Sequence, residues 1–532
     1  LFTPFSYSNS GDLKITFLKS RTLIHRSTNL KLGLATLFLL IAEILSAQVH
    51  FAEQKSDYSI SVRSFPSVPS RWYEVESDTG SFLLFNSIDF GYPAKGDSGE
   101  FQFGILPLLE VGAGYSNKSD ELFEASGGVA LGASVGKFSL HAEFIGGINR
   151  QPGYLVEFTD SLGILPSRGR NLSTSESAAF AMPTLALNFK ANEFFTFELG
   201  YGKNFFGNGH RSLFLSDVAY NYPYLRIETS VWHIKYINLF SALQDISADP
   251  SDPSSFRNKF SSSHYFNWAI SPRFNIGLFE TIIWQGSDTL SDRGFDPNYL
   301  NPIIFFRPVE FSIGSPDNAI IGLDLSFKLS KKSILYGQLI FDEFLLSEFR
   351  ARDGWWGNKW GAQFGLKTFD PFGLSNAFLR GEFNLARPFT YTHGSVLQNF
   401  GHYNQPLAHP LGTNFYEGLI QAYYEKDDWF FEGQWNYSLY GRDPDSLNFG
   451  GDIYRSYANP AEIYGNEIGQ GRQSRLFYQK LSAGIILNRR MNLRASAYYI
   501  YRRLDEDGMA INNEHIFGVR LATELFRTYT DF

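Results

Sequence analysis

Cysteine is absent from all 532 residues. That excludes disulfides, thiolate metal sites, a cysteine nucleophile and a lipid-modified cysteine. Charge is sparse, at 19% of residues, against roughly 25% in soluble domains. A basic excess is missing too: the formal net charge is −8, wrong for a general nucleic-acid binder, which must replace counterions. Beyond residue 47 no run reaches 18 consecutive apolar residues, so no transmembrane helix is encoded there. What abounds is aromatic and glycine content: 52 Phe, 29 Tyr, 9 Trp and 48 Gly. Such a chain is not disordered. Nor is it a helical bundle, which needs more Ala, Leu, Glu and Lys.

The first 47 residues read as a leader. Lys19, Arg21, Arg26 and Lys31 precede the apolar run Leu32–Leu45, and Ser46 and Ala47 offer a cleavage site before Gln48. The run is too short to span a bilayer as a helix, which takes about 20 residues. Cleavage there would remove five basic and two acidic residues and leave a net charge of −11. An exported, acidic, aromatic-rich chain without Cys fits the outer membrane of a Gram-negative bacterium better than the periplasm.

Period-two alternation recurs through the rest. Trp429, Phe431, Gly433, Trp435 and Tyr437 alternate with Glu432, Gln434 and Asn436. Leu379, Phe383 and Leu385 oppose Arg380, Glu382 and Asn384. The segments Phe195–Tyr201, Leu335–Phe341 and Leu493–Tyr501 behave alike. Alternation suits either a soluble sandwich or a membrane barrel. Opposite charges at mid-strand, as in Arg380 and Glu382, suit a polar lumen. Trp429, Tyr437, Tyr499 and Tyr501 suit the bilayer interface. No blade-length repeat supports a propeller. The terminal aromatic Phe532, after a strand-like segment Phe517–Phe526, matches chains inserted by the outer-membrane assembly machinery.

The sequence therefore predicts an all-β fold, a closed antiparallel transmembrane β-barrel over residues 100–532. At roughly 24 residues per strand with its connection, it has about 16–18 strands. The first strand is expected at Phe101–Tyr115. Residues 48–99 form an N-terminal periplasmic segment or partial plug. Loops are expected at Ser247–Ser263, Ser287–Asn298, Thr390–Gly412 and Gly441–Gln473. The last two are expected over the extracellular mouth or inside the lumen.

The most distinctive string is Gly202–Asp217, GKNFFGNGHRSLFLSD. Gly207 and Gly209 allow a tight path, and His210 and Arg211 place cationic donors at its tip. Ser212, His210 and Asp217 could be read as a hydrolase set, but no nucleophile elbow surrounds them. A glycine turn whose Arg and His satisfy lumen carboxylates explains the string better. His393, His402 and His409 lack metal-ligand spacing. Asp342 and Glu343, adjacent on a strand, should point to opposite faces, and read as lumen or rim charges. Trp355, Trp356 and Trp360 suit either sugar stacking or the interfacial girdle.

Several blocks resemble the capsule assembly family of Wzi-like outer-membrane barrels, in particular its branch among gliding Bacteroidetes, the RemB-like gliding motility proteins. They are GKNFFGNGHRSLFLSD, DPNYLNPIIFFRPVEF (Asp296–Phe311), GSPDNAIIGLDLSF (Gly314–Phe327), LYGQLIFDEF (Leu335–Phe344) and YNQPLAHPLGTNFYE (Tyr403–Glu417). The resemblance implies about eighteen strands, no enzymatic chemistry, no cofactor, and a role in attaching surface polysaccharide or in gliding. From these blocks it points to Arg211, Arg307, Glu310, Asp317, Asn318, Asp324, Asp342 and Glu343 as lumen or ligand-facing groups. Expected partners are outer-membrane lipid, surface polysaccharide and, during insertion, the assembly machinery. The competing expectation is a porin-like channel for small solutes, and an open or filled lumen separates the two.

Overall fold

The computed structural model describes residues 101–173, 177–287, 293–303, 317–444, 446–489, 492–523 and 528–532. The leader, residues 48–99, Arg307 and Glu310 lie outside the described residues. Eighteen strands build one sheet. In chain order they are β1 Phe101–Ser116, β2 Asp120–Val135, β3 Phe138–Arg150, β4 Ala178–Lys190, β5 Phe195–Gly202 and β6 Tyr222–Val231. Then follow β7 Ile234–Asp245, β8 Arg257–Ser271, β9 Phe274–Gln285, β10 Asn318–Lys328, β11 Ser333–Phe341 and β12 Trp360–Phe369. The last six are β13 Ala377–Ala386, β14 Phe415–Lys426, β15 Trp429–Arg442, β16 Arg472–Asn488, β17 Leu493–Glu506 and β18 Asn512–Thr523.

Each strand pairs antiparallel with the next, and β1 pairs with β18, so the sheet closes on itself. The closing seam runs only from Glu110↔Ala522 to Ser116↔Ile516, whereas β1 and β2 pair along their full length. At one end the strands are joined by short turns such as 136–137, 232–233 and 427–428. At the other lie the long connections 151–177, 203–221, 286–317, 342–359, 387–414 and 443–471. Short turns on one side and long loops on the other are the asymmetry of membrane barrels.

Sequence alternation becomes radial direction. On β13 Leu379, Phe383 and Leu385 face out, while Arg380, Glu382 and Asn384 face in and are buried. On β15 Trp429, Phe431 and Tyr437 face out and are about half exposed, with Asn436 and Ser438 buried inside. The exposed side of the wall is thus apolar (Ile105, Phe144, Leu199, Phe364, Val519) and the enclosed side polar, inverting a soluble core.

Two expectations need correction. Ser247–Ser263 is a loop only as far as Phe256, and Arg257–Ser271 is strand. The run of serines misled because their hydroxyls are satisfied by groups distant in sequence, Ser262 by Tyr299 O on the connection after β9 and Ser263 by Thr281 Oγ1 on β9. The strand-like segment Phe517–Phe526 falls in the strand Asn512–Thr523 as far as Thr523, and its last three residues lie outside the described residues. Phe532 does not end a lipid-facing strand: it lies with the tail inside the barrel, its ring 4.7 Å from that of Phe158.

The connection after β9 also departs from the pattern. Instead of crossing the mouth, residues 293–303 descend along the outer wall. Tyr299 O accepts from Ser262 (2.8 Å), Asn301 O lies 3.0 Å from His264 Nε2, and Pro302 O accepts from Tyr236 (2.7 Å). Beneath them are Asn238, His264 and Glu280, outward-facing polar residues on β7, β8 and β9, all buried. Polar groups on this face would be costly against hydrocarbon. The covering loop resolves that.

Candidate functional site

The interior is built around residues 203–221, which leave β5 and cross the lumen as a strap. Gly207 sits at φ +138, and a Cβ there would lie 2.3 Å from Gln338 Nε2. Opposite, a Cβ on Gly322 would lie 2.3 Å from the Phe214 ring. Glycine on both sides lets the strap touch the wall. Phe214 stacks on Phe279 at 4.8 Å, and Phe206 on Tyr265 at 5.0 Å.

Two carboxylates anchor the tip. Glu382 accepts from the backbone N–H groups of His210 (2.7 Å) and Arg211 (3.0 Å), from Tyr336 Oη (2.7 Å) and from Asn384 (3.0 Å). Glu417 takes the Arg211 guanidinium side-on, at 3.2 Å from Nε and 2.9 Å from Nη2. Arg211 Nη2 also donates to Asp531 at 2.7 Å, and His409 Nε2 lies 2.8 Å from Glu417. Arg211, Glu417 and Asp531 are all buried. The expectation that the His-Arg tip would satisfy lumen carboxylates holds for Arg211. His210 does so through its backbone, its Nδ1 lying 3.1 Å from Gln421.

Residues 387–414 fold into the lumen, as the reading of Thr390–Gly412 allowed. Tyr391 Oη donates to Leu213 O, and the Ser216 N–H donates to Leu407 O, which ties this loop to the strap. Burial drives the His402 imidazole down to about 3 and that of His393 to about 4. His402 Nδ1 accepts the Gln244 N–H at 2.9 Å, a bond open only to a neutral ring. The tail enters the same interior. Tyr529 Oη donates to Asp217 (2.6 Å), Asn436 donates to Asp531 (2.8 Å), and Tyr154 Oη donates to Thr530 O (2.9 Å).

The other singled-out residues separate by location. Asn318 and Asp324 face inward: Asn318 donates to Gln398 O, and Asp324 accepts from Tyr265 Oη at 2.7 Å. Asp317 is held by Arg293 (2.8 and 3.0 Å), Tyr299 and Gln398. Asp342 and Glu343 do not diverge as expected of a strand pair. They follow the end of β11, and both carboxylates lie 3.4 Å from Lys359 Nζ. Trp360 faces outward on β12, as a girdle residue would. Trp355 and Trp356 instead join an aromatic group at the mouth: Trp356 is 5.1 Å from Tyr457 and 5.6 Å from Phe389, and Tyr457 is 5.6 Å from His393. The Lys359 ammonium lies 4.4 Å from the Tyr457 ring centre.

Sequence reasoning passed over Glu417, Asp531 and Lys359. Glu417 was reachable, since it shares strand parity with Gln421 on β14. Asp531 was not, because nothing local marks a tail that turns inward.

The Ser212 hydroxyl donates to Phe206 O and accepts from the Phe214 N–H, with no imidazole against it. It closes a turn. Ser212→Ala is expected to cost about 1 kcal/mol of strap stability and to leave any esterase or protease reading of the purified protein unchanged. A hydrolytic activity abolished by this change would reverse the assignment.

No family model matches the chain, and no curated protein matches it. Among solved structures it is similar to Wzi, an outer membrane protein involved in group 1 capsule assembly in Escherichia coli and a carbohydrate-binding β-barrel. Identity is 13%, with 77% of this chain and 83% of that chain covered and a TM-score of 0.47. It is also similar to Pseudomonas aeruginosa OprD (9% identity, 79% and 94% covered, TM-score 0.40) and Acinetobacter baumannii OccAB2 (10%, 79% and 97%, 0.41).

Proposed function

We propose that the protein is a non-enzymatic outer-membrane barrel that holds surface polysaccharide at its long-loop mouth, in capsule or exopolysaccharide attachment or in gliding-associated adhesion. The observation that carries this reading is a lumen crossed by three segments of the chain itself, the strap, the inner loop and the tail, bonded to one another and to the wall. A passive channel needs charged groups facing a water-filled path. Here Lys367, Arg380, Glu382 and Glu417 are buried, and Glu382 and Glu417 are bonded to the strap. Binding is left to the mouth, where Trp355, Trp356 and Tyr457 supply rings for sugar faces. Glu343, partly exposed beside them and held by the buried Lys359, is the polar group placed to fix orientation.

Purified protein in planar bilayers is expected to be silent, and Trp355→Ala with Trp356→Ala to weaken retention of the cell's polysaccharide by about tenfold, a loss of about 1.4 kcal/mol. Steady small-solute conductance with retention unchanged by the double substitution would make the protein a channel instead. A clean deletion that left polysaccharide retention and surface motility intact would remove the attachment role altogether.

A further inference from the structure

The connection 342–359 does more than carry the mouth tryptophans. It leaves the barrel interior at Asp342, passes over the outer rim, and returns to the interior at Lys359. Its outermost part is the short helix Leu346–Ala351, ended by Arg352 in the left-handed region at φ 58. Phe344, Leu345, Leu346 and Phe349 are 38–50% exposed, four large apolar side chains within six residues. Rings join this group to the outer wall without a break. Phe341 lies 5.1 Å from Phe344, Phe344 5.2 Å from Phe349, and Phe349 6.4 Å from Trp360. Phe341 and Trp360 are themselves outward residues of β11 and β12, directly above the exposed Leu339, Phe364 and Leu366. Ser347, Glu348, Arg350 and Arg352 are the polar groups of the segment.

We infer that Phe344–Ala351 is a membrane-interface anchor, seated among the acyl chains of the leaflet at the long-loop end. The occupant follows from continuity: the apolar face extends the same surface that the wall below turns to lipid. Isolated in water, four such side chains on one short segment would be an unsupported patch. Laid in the interface they form the apolar side of an amphipathic segment. The anchor ends four residues before Trp355, so it fixes the height of the mouth aromatics just above the headgroups. A polysaccharide held there would lie along the membrane surface. This inference rests on the reading of the barrel as membrane-spanning.

The absence of cysteine makes the test direct. Full-length protein carrying Leu346→Cys, Phe364→Cys or Leu447→Cys is labelled with an environment-sensitive fluorophore and reconstituted in phosphatidylcholine vesicles. Lipids with a nitroxide on the acyl chain then serve as quenchers. The label at 364 reports the wall, and that at 447 an exposed loop over the mouth. The label at 346 is expected to shift to the blue and lose about half its emission to the quencher, close to that at 364, while that at 447 is unaffected. Phe349→Asp should return the label at 346 to a water-like spectrum. A label at 346 that matched 447 while 364 was quenched would overturn the anchor and leave the barrel reading standing. Loss of quenching at 364 would overturn both. A blue shift at 346 without quenching, accompanied by energy transfer between copies, would overturn the anchor in favour of a second protein chain on this face.

Discussion

Replacing Arg211 by Ala is expected to release the strap from the barrel wall. The guanidinium is shared by Glu417 and Asp531, and all three groups are buried. Removing the cation strands two carboxylates in the interior, which costs about 3–5 kcal/mol for a buried pair losing one partner. Most of that cost comes from what is left behind rather than from the bond lost. Arg211→Ala combined with Glu417→Gln should therefore be less damaging than Arg211→Ala alone. Hydrogen exchange of residues 203–217 should accelerate by two to three orders of magnitude, about 3–4 kcal/mol of opening energy. The same protein in planar bilayers should acquire conductance that the parent lacks. Unaltered protection of the strap in Arg211→Ala would mean that Glu382, holding the backbone at His210 and Arg211, suffices by itself.

Acid should loosen the inner loop 387–414. His402 has its folded pKa lowered by burial from 6.5 to about 3, and His393 to about 4. Burial also lowers that of His409, against the pull of Glu417. A depressed folded value means that the stability contributed is complete above pH 6.5 and is lost as pH falls towards the folded pKa. At pH 5 each of the first two imidazoles forfeits about 2 kcal/mol, at 1.36 kcal/mol per unit. Asp342 works the other way. Burial raises it from 3.8 to about 6, so its penalty is greatest above pH 6, and a little over 1 kcal/mol is recovered by pH 5. The net loss of about 2–3 kcal/mol should raise the open population of residues 387–414 roughly 50-fold between pH 7.5 and pH 5. Exchange rates corrected for the intrinsic pH effect would measure this. His402→Gln should flatten much of the response. A loop equally protected at both pH values would show that protonation is absorbed without opening.

The wall was legible in the sequence because each strand obeys one rule. Residues two apart share a face, and Leu379, Phe383 and Leu385 or Trp429, Phe431 and Tyr437 are sorted by that rule alone. The first strand, begun at Phe101, followed from it as well. Loop boundaries were less legible where polar residues serve a strand, as at Ser261, Ser262 and Ser263. The site was legible only in part. Gly207 and the His210–Arg211 tip announced a tight turn with donors, but not which carboxylates would meet it. Glu382, Glu417 and Asp531 lie 171, 206 and 320 residues from Arg211, and no local pattern brings such distances together. Asp342 and Glu343 do not take opposite faces because the alternation stops at Phe341, where β11 ends. Trp355, Trp356 and Trp360, similar as letters, were divided by direction: the wall fixes Trp360, and the mouth loop fixes the other two.

The connection that lies against the outside of β7, β8 and β9 bears on how the molecule can enter a bilayer. With Tyr299–Pro302 in place, the imidazole of His264 and the carboxylate of Glu280 are sealed off. With that stretch detached, the same wall would offer an ionisable pair to oil. Insertion therefore favours an order of events in which this external strip is already wrapped before its side of the cylinder sinks. A chain altered at Tyr299 should accumulate outside the lipid, fully paired as a sheet and still unable to enter.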